Sequence, residues 1–122
     1  MKPEKLIQSA LKAQNKSVSP FSKYPVGVAL LTENGDIIHG CNIESKAYPT
    51  TLCAERVAIF SAIAQGYNKF KAMAIVTKDG GMPCGACRQI ISEFAGNIPL
   101  YVGNSQTNYK TTTIDELLPY PF

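Results

Sequence analysis

Two cysteines separated by two residues, Cys84 and Cys87, are the first candidates for chemistry in this sequence. They follow Pro83, a residue that favours the first turn of a helix. Residues three apart on a helix share a face, so both sulfurs can converge on one point. Unpaired backbone N–H groups and the helix dipole at that end favour a thiolate over a thiol. The spacing is typical of a metal-binding pair or of a redox pair.

Cys53 and Glu55 extend this pair to a possible catalytic metal site. A tetrahedral metal needs more than two ligands, and Cys53 can supply a third from the start of an apolar helix. Three thiolates leave one zinc position open for water, as catalytic sites require. Zinc lowers the pKa of bound water to roughly 7, and the Glu55 carboxylate can move protons beside it. At the N-terminus of this helix, the side chains of Cys53 and Glu55 can both reach a metal-bound species that lies near the helix axis.

The only two arginines of the chain lie next to these residues, since Arg56 follows Glu55 and Arg88 follows Cys87. Three thiolates overcompensate the +2 charge of zinc and weaken its acidity. A guanidinium in either place can hydrogen-bond to a sulfur and withdraw charge from it.

Other uses of the cysteines stay open at this point. Cys84 and Cys87 alone suit a redox dithiol, and together with Cys41 and Cys53 they suit a structural four-cysteine zinc site. The structural site leaves Glu55 without a role. Cys41 otherwise reads as a small buried apolar residue, and His39 as a packed or solvated strand residue.

The elements that must position these residues follow from apolar periodicity and turn signals. A hairpin is predicted at Asn34-Gly35. The predicted helices are 3–16, 53–65, 84–94 and 114–118, and the predicted strands are 26–32, 36–43, 72–77, 100–102 and 109–113. The order αββαβαββα indicates an α/β sandwich. Helix 53–65 is apolar almost all round, which predicts burial on every side and a partner subunit over one face.

Composition restricts the classes of function. A length of 122 residues fits a single domain over 1–122, and 45% hydrophobic against 17% charged residues allows one sizeable core. The net charge of +3 is scattered over lysines, without a block that would track nucleic acid. No run approaches a membrane span, and the N-terminus is unlike a secretory signal. We therefore expect a cytoplasmic protein that binds neither nucleic acid nor membranes.

Two segments resemble the two-part signature of the cytidine deaminase family: Cys53-Ala54-Glu55-Arg56 and Pro83-Cys84-Gly85-Ala86-Cys87-Arg88-Gln89. The resemblance extends from about Pro20 to Phe122. It implies a three-layer α/β/α sandwich with a central mixed five-stranded sheet. It also implies one Zn²⁺ per chain, bound by Cys53, Cys84 and Cys87, and a homotetramer with active sites near subunit boundaries.

The resemblance further implies a reaction with named roles. Cytidine and 2′-deoxycytidine would be hydrolysed to uridine and 2′-deoxyuridine in pyrimidine salvage. Zinc-bound hydroxide would attack C4 of the base, while Glu55 carries the proton from water to N3 and then helps protonate ammonia. Backbone groups near Ala54 and Pro83 would hydrogen-bond to the amide and amino edges of the pyrimidine ring.

The same resemblance assigns candidate contacts to the rest of the nucleoside. Asn42 and Glu44 match the strand end of the family that binds ribose, and their spacing directs both to one side of a strand. Tyr24 stands where a phenylalanine usually packs beside the nucleoside. Phe122 matches an aromatic of the tail that reaches over the substrate of a neighbouring subunit. The loop at 78–82 looks shorter than in relatives, and Met82 stands where a serine is frequent.

Three other functions remain as alternatives. A deaminase of the same superfamily can act on a cytosine-like antibiotic such as blasticidin S, although Asn42 and Glu44 favour a ribose. A polynucleotide deaminase needs a basic, aromatic-rich channel, which this sequence does not offer. A non-catalytic zinc module that binds a protein partner leaves no role for Glu55.

Overall fold

A computed structural model describes every residue from Met1 to Phe122. The helices are α1 (Pro3–Gln14), α2 (Ala54–Ala64), α3 (Gly85–Ile90) and α4 (Ile114–Leu117). The strands are β1 (Gly27–Thr32), β2 (Ile37–Cys41), β3 (Phe70–Val76), β4 (Pro99–Ser105) and β5 (Asn108–Thr113). The predicted order of elements is confirmed.

The five strands form one mixed sheet in the order β2-β1-β3-β4-β5. β3 and β4 are parallel, and the other three neighbouring pairs are antiparallel. A parallel pair needs a crossover, and α3 lies in the connection from β3 to β4. The chain therefore leaves the carboxyl end of β3 and reaches α3 through a connection that ends in Cys84.

Helices cover both faces of the sheet, because successive strand residues point to opposite sides. In β1, Ala29 and Leu31 pack in a cluster with Leu6 and Ile7 of α1. The alternate β1 residues belong to a second, larger cluster that includes Ala58 and Ile59 of α2 together with residues of β3 and β4. The three-layer α/β/α sandwich predicted from the family resemblance is confirmed.

Helix α2 is buried on one side only in the single chain. Ala58, Ile59 and Ala62 are fully buried, whereas Phe60 and Ile63 are 38% and 40% exposed. One chain on its own therefore leaves one side of this helix uncovered, and its cover by a partner subunit stays a prediction.

Several element ends differ from the sequence prediction. The helix predicted over 84–94 changes at Ile91, where a π-helical turn, Ile91–Ala95, continues α3. The strand predicted to end at residue 43 ends at Cys41, although Ile43 still pairs with Leu52 and Val18 through isolated bridges. None of the helices combines the length and the apolar character needed to cross a membrane.

Candidate active site

The three candidate metal ligands come together at the N-termini of two helices. Cys53 and Cys84 are the N-cap residues of α2 and α3, both with extended backbone, and Cys87 lies in the first turn of α3. Their three sulfur atoms all lie within 4.8 Å of one another. Unpaired N–H groups at helix N-termini favour negative charge, so both helices support thiolates here.

The donor set fits zinc. Thiolate sulfur is a preferred zinc ligand, and three protein ligands rather than four are typical of a catalytic site. Cys41 is not part of the cluster, since its thiol donates to the Lys16 carbonyl at 3.5 Å. The structural four-cysteine alternative is therefore wrong.

Cys53 and Cys87 share a hydrogen bond that shifts the pKa of each sulfur. The hydrogen bond from the Cys87 thiol, helped by the Arg56 guanidinium and opposed by burial, lowers the pKa of Cys53 to about 5. The same hydrogen bond, together with burial and the Glu55 charge, raises the pKa of Cys87. The hydrogen bond between these sulfurs and the nearby Arg56 guanidinium thus favour a thiolate in this cluster.

The two arginines have different partners. Arg56 Nη2 lies 3.7 Å from Cys53 Sγ and donates to the Thr51 carbonyl at 3.2 Å. Arg88 contacts backbone instead of sulfur: its Nε donates to the Pro83 carbonyl at 2.7 Å and its Nη1 to the Leu117 carbonyl at 3.0 Å. The predicted contact to sulfur thus occurs at Arg56 and is wrong for Arg88. Arg88 instead links the backbone beside Cys84 to the end of α4.

Glu55 is buried in the first turn of α2, with only 4% of its surface exposed. Burial raises the pKa of this carboxyl, and the negative charge of Cys53 acts in the same direction. A raised pKa makes a carboxyl a better proton acceptor than an exposed glutamate. Its position suits proton transfer beside the three sulfurs.

A cavity of about 390 Å³ opens in front of this cluster. Its volume is within the range of small-molecule sites. Nine of the residues singled out in the sequence line it: Tyr24, Asn42, Glu44, Cys53, Ala54, Glu55, Met82, Pro83 and Cys84. The metal cluster and the residues matched to sugar binding thus face one space.

Asn42 and Glu44 form the wall of the cavity contributed by the chain after β2. The Asn42 side chain accepts from Val26 N at 2.9 Å and donates to the Tyr24 carbonyl at 2.9 Å. Because an amide has two N–H donors, one stays available. Glu44 accepts from the backbone N–H of Phe21 at 2.9 Å and of Ser22 at 3.1 Å, and also from the Ser22 hydroxyl. These bonds lower the pKa of Glu44, led by the one from the Ser22 hydroxyl.

Three hydroxyl residues of the cavity were not singled out in the sequence. Ser22, Thr51 and Thr77 all line the cavity, yet isolated hydroxyl residues in loops are too common to be noticed. Phe122, in contrast, does not line the cavity of its own chain. Its side chain is fully exposed, and its carbonyl accepts from Gln89 Nε2 at 3.0 Å.

The fold and the site together define a class. A three-cysteine cluster at helix N-termini, with an adjacent buried glutamate and a pocket of nucleoside-like size, is the arrangement of the zinc-dependent deaminases.

Comparisons with known proteins agree. Residues 1–102 match the family described as the cytidine and deoxycytidylate deaminase zinc-binding region. Cytidine deaminase of Sporosarcina psychrophila is 50% identical over 100% of this chain and 92% of its own length. The crystal structure of cytidine deaminase from Burkholderia pseudomallei is 39% identical, with a TM-score of 0.95 over 100% of both chains. Blasticidin-S deaminase of Bacillus cereus is 32% identical over 83% of this chain and 79% of its own length.

The chain belongs to the cytidine and deoxycytidylate deaminase family. It is an enzyme of the deaminase class with a zinc site, and the cluster of Cys53, Cys84 and Cys87 is able to hold the ion.

Proposed function

We propose that residues 1–122 act as one catalytic domain that hydrolyses free cytidine and 2′-deoxycytidine. Water adds at C4 and ammonia leaves, which gives uridine and 2′-deoxyuridine for pyrimidine salvage. The observation that carries this proposal is a buried carboxyl, Glu55, beside three thiols at a cavity of about 390 Å³ that Asn42 and Glu44 also line.

Cys53, Cys84 and Cys87 hold the zinc ion in this proposal. When bound, zinc supplies Lewis acidity that makes water nucleophilic at neutral pH. Glu55 takes the proton that the water loses, delivers it to N3 of the ring and later assists the protonation of ammonia. Its burial serves this role, because the raised pKa brings the carboxyl closer to the pH at which it must both gain and lose a proton.

The pyrimidine ring is read by backbone groups in this proposal. Ala54 lies in the first turn of α2, where N–H groups have no acceptor within the helix. The Pro83 carbonyl is occupied by Arg88 at 2.7 Å. The carbonyl of Met82, which also lines the cavity, is therefore the acceptor that we assign to the amino group.

The sugar is held at the other end of the cavity. The free N–H of Asn42 donates to the 3′-hydroxyl, and the Glu44 carboxylate accepts from it. Both groups are fixed by hydrogen bonds to surrounding chain before substrate arrives. The ring of Tyr24 packs beside the nucleoside. Such a sugar site favours a nucleoside over a cytosine-like antibiotic.

The first experiment is to incubate the purified protein with cytidine and follow uridine formation, with zinc counted per chain. We expect Glu55→Gln to lose turnover by at least about a hundredfold and to retain zinc, because the amide keeps the shape of the side chain but cannot carry the proton. Full activity in this variant would exclude Glu55 as the proton carrier and favour a non-catalytic zinc module.

Parallel assays separate the alternatives. 2′-Deoxycytidine, blasticidin S and a single-stranded oligonucleotide are offered under the same conditions. Turnover of blasticidin S without turnover of cytidine would favour the antibiotic deaminase, the activity for which the Bacillus cereus relative is named. Turnover of the oligonucleotide alone would overturn the nucleoside assignment.

We also propose a cytoplasmic homotetramer in which Phe122 of one subunit covers the cavity of a neighbour. Phe122 is fully exposed and lies outside its own cavity, and α2 presents Phe60 and Ile63 to solvent. All four cysteines are free thiols, which suits a reducing compartment.

A further inference from the structure

The hydroxyl of Tyr24 binds a loop that is distant in sequence. It donates to Asp79 Oδ1 at 2.5 Å, across 55 positions of sequence. Asp79 lies in the connection between β3 and α3. A phenylalanine at the position of Tyr24 would have no hydroxyl to make this bond.

Asp79 is the centre of a small network within that connection. Its Oδ1 also accepts from the backbone N–H of Gly81 at 3.1 Å and from the Thr77 hydroxyl at 3.2 Å. The Gly81 N–H reaches the Thr77 hydroxyl as well, at 2.9 Å. In addition, Lys78 Nζ lies 5.5 Å from the centroid of the Tyr24 ring, at the distance of a cation–π contact. Tyr24 thus contacts the connection through both its hydroxyl and its ring.

The backbone of the loop closes tightly on the tyrosine at Gly81. A Cβ atom at this position would lie 2.8 Å from the Tyr24 hydroxyl oxygen and 3.3 Å from Asp79 Oδ1. Any side chain at residue 81 would have to displace the hydroxyl. The backbone at Gly81 and the hydroxyl of Tyr24 therefore each restrict the position of the other.

The loop leads directly into the wall of the cavity. Met82 and Pro83 follow Gly81, both line the cavity, and Cys84 comes next. We infer that Tyr24 is a positioning residue whose hydroxyl, through Asp79, holds the loop at 78–82 against the nucleoside pocket and sets the place of Met82 and Pro83. As far as it concerns substrate, this inference rests on the proposed function.

Removal of the single oxygen tests the inference. We expect Tyr24→Phe to raise KM for cytidine about threefold to tenfold, the range for one hydrogen bond of ordinary net strength, because this bond is exposed; kcat and zinc content should change much less. The matched control is Tyr67→Phe, because Tyr67 donates to Asp36 at 2.8 Å in an equally exposed bond beyond the opposite end of α2. The control is expected to keep the wild-type KM.

A second readout follows the loop without any substrate. Hydrogen exchange of the Gly81 amide is expected to accelerate in Tyr24→Phe and in Asp79→Ala, and to stay at the wild-type rate in Tyr67→Phe. Asp79→Asn retains an acceptor and is expected to exchange more slowly than Asp79→Ala. Wild-type exchange and wild-type KM in Tyr24→Phe would overturn the inference. If the wild-type protein does not turn over cytidine, the proposed function fails, while the exchange rates still decide whether Tyr24 holds the loop.

Discussion

Arg56 divides its guanidinium between the metal site and the backbone. Nη2 lies 3.7 Å from Cys53 Sγ and 3.2 Å from the Thr51 carbonyl, while Nε is buried without a hydrogen-bond partner in the chain. Burial opposes the charge of the guanidinium, but the hydrogen bond and the charge of Cys53 raise the pKa of Arg56. The positive charge is therefore permanent, and it lies where it can offset the excess of negative charge on three sulfurs.

Replacement of this side chain should weaken the hold on zinc. We expect Arg56→Gln to lower zinc affinity or turnover about tenfold to a hundredfold, because groups that hydrogen-bond to metal ligands commonly contribute that much. Arg56→Lys keeps the charge but lacks the planar guanidinium, so its zinc affinity and turnover should lie between those of the wild type and of Arg56→Gln. Competition with a chelator, followed by the turnover assay, measures both effects. Wild-type zinc retention and turnover in Arg56→Gln would contradict this role.

The metal site was predictable because ligands such as Cys84 and Cys87 lie close together in the sequence. Contacts between residues far apart in the sequence were not predictable. The separation of Cys84 and Cys87 fixes their relation on a helix before any tertiary structure is known. Arg88 is different: a long side chain has many partners in reach, and its two carbonyl acceptors include Leu117, which is 29 positions away. The bond from Tyr24 to Asp79 depends on how two loops meet, which no local pattern encodes.

Among the elements, β2 and the first turn of α2 approach each other closely at Gly40. A Cβ atom there would lie 2.3 Å from the Ala54 carbonyl oxygen and 2.8 Å from the Ala58 backbone nitrogen. Since Cys53 caps this helix and Glu55 lies in its first turn, the contact at Gly40 helps to fix the metal site.

A methyl group at Gly40 should therefore affect both stability and the site. We expect Gly40→Ala to lower the free energy of unfolding by about 1–3 kcal/mol, the range for an overpacked core, and to weaken zinc retention as the start of α2 is displaced. Gly85→Ala is the matched control, because a Cβ there meets no atom within 4 Å although the residue adjoins Cys84. Denaturant unfolding and chelator competition measure the two effects. Unchanged zinc retention in a destabilised Gly40→Ala would show that α2 does not transmit the contact.

The pattern of the sequence predicted the elements better than their ends. The apolar runs of β1 and β3 and the hairpin at Asn34-Gly35 depend on local chemistry, and the structure contains all three. The extension of β4 to Ser105 depends on pairing with β5, which is a tertiary effect. The π-helical turn after Ile90 likewise has no signal in the apolar period.

For the whole molecule, the exposed side of α2 continues onto the π-helical turn after α3, in the same helical layer. The rings of Phe60 and Phe94 meet edge to face with their centroids 6.0 Å apart, and each residue is 38% exposed. Ile63 adds a third apolar side chain from the same helix. Clustered apolar side chains of this kind mark protein–protein contacts more often than scattered ones do.

A charge in this cluster tests the proposed tetramer and the role of the tail together. We expect Phe60→Lys to sediment as a smaller species than the wild type, because burying an unpaired charge at a subunit contact costs several kcal/mol. Phe60→Leu remains apolar and should keep the wild-type size.

If Phe122 of one subunit covers the cavity of another, turnover of cytidine should fall with dissociation in Phe60→Lys. Removal of Phe122 should lower turnover without changing the size of the assembly. A wild-type protein that sediments as a fully active monomer would refute the assembly. A dissociated Phe60→Lys with full turnover would show instead that each cavity works without its neighbour.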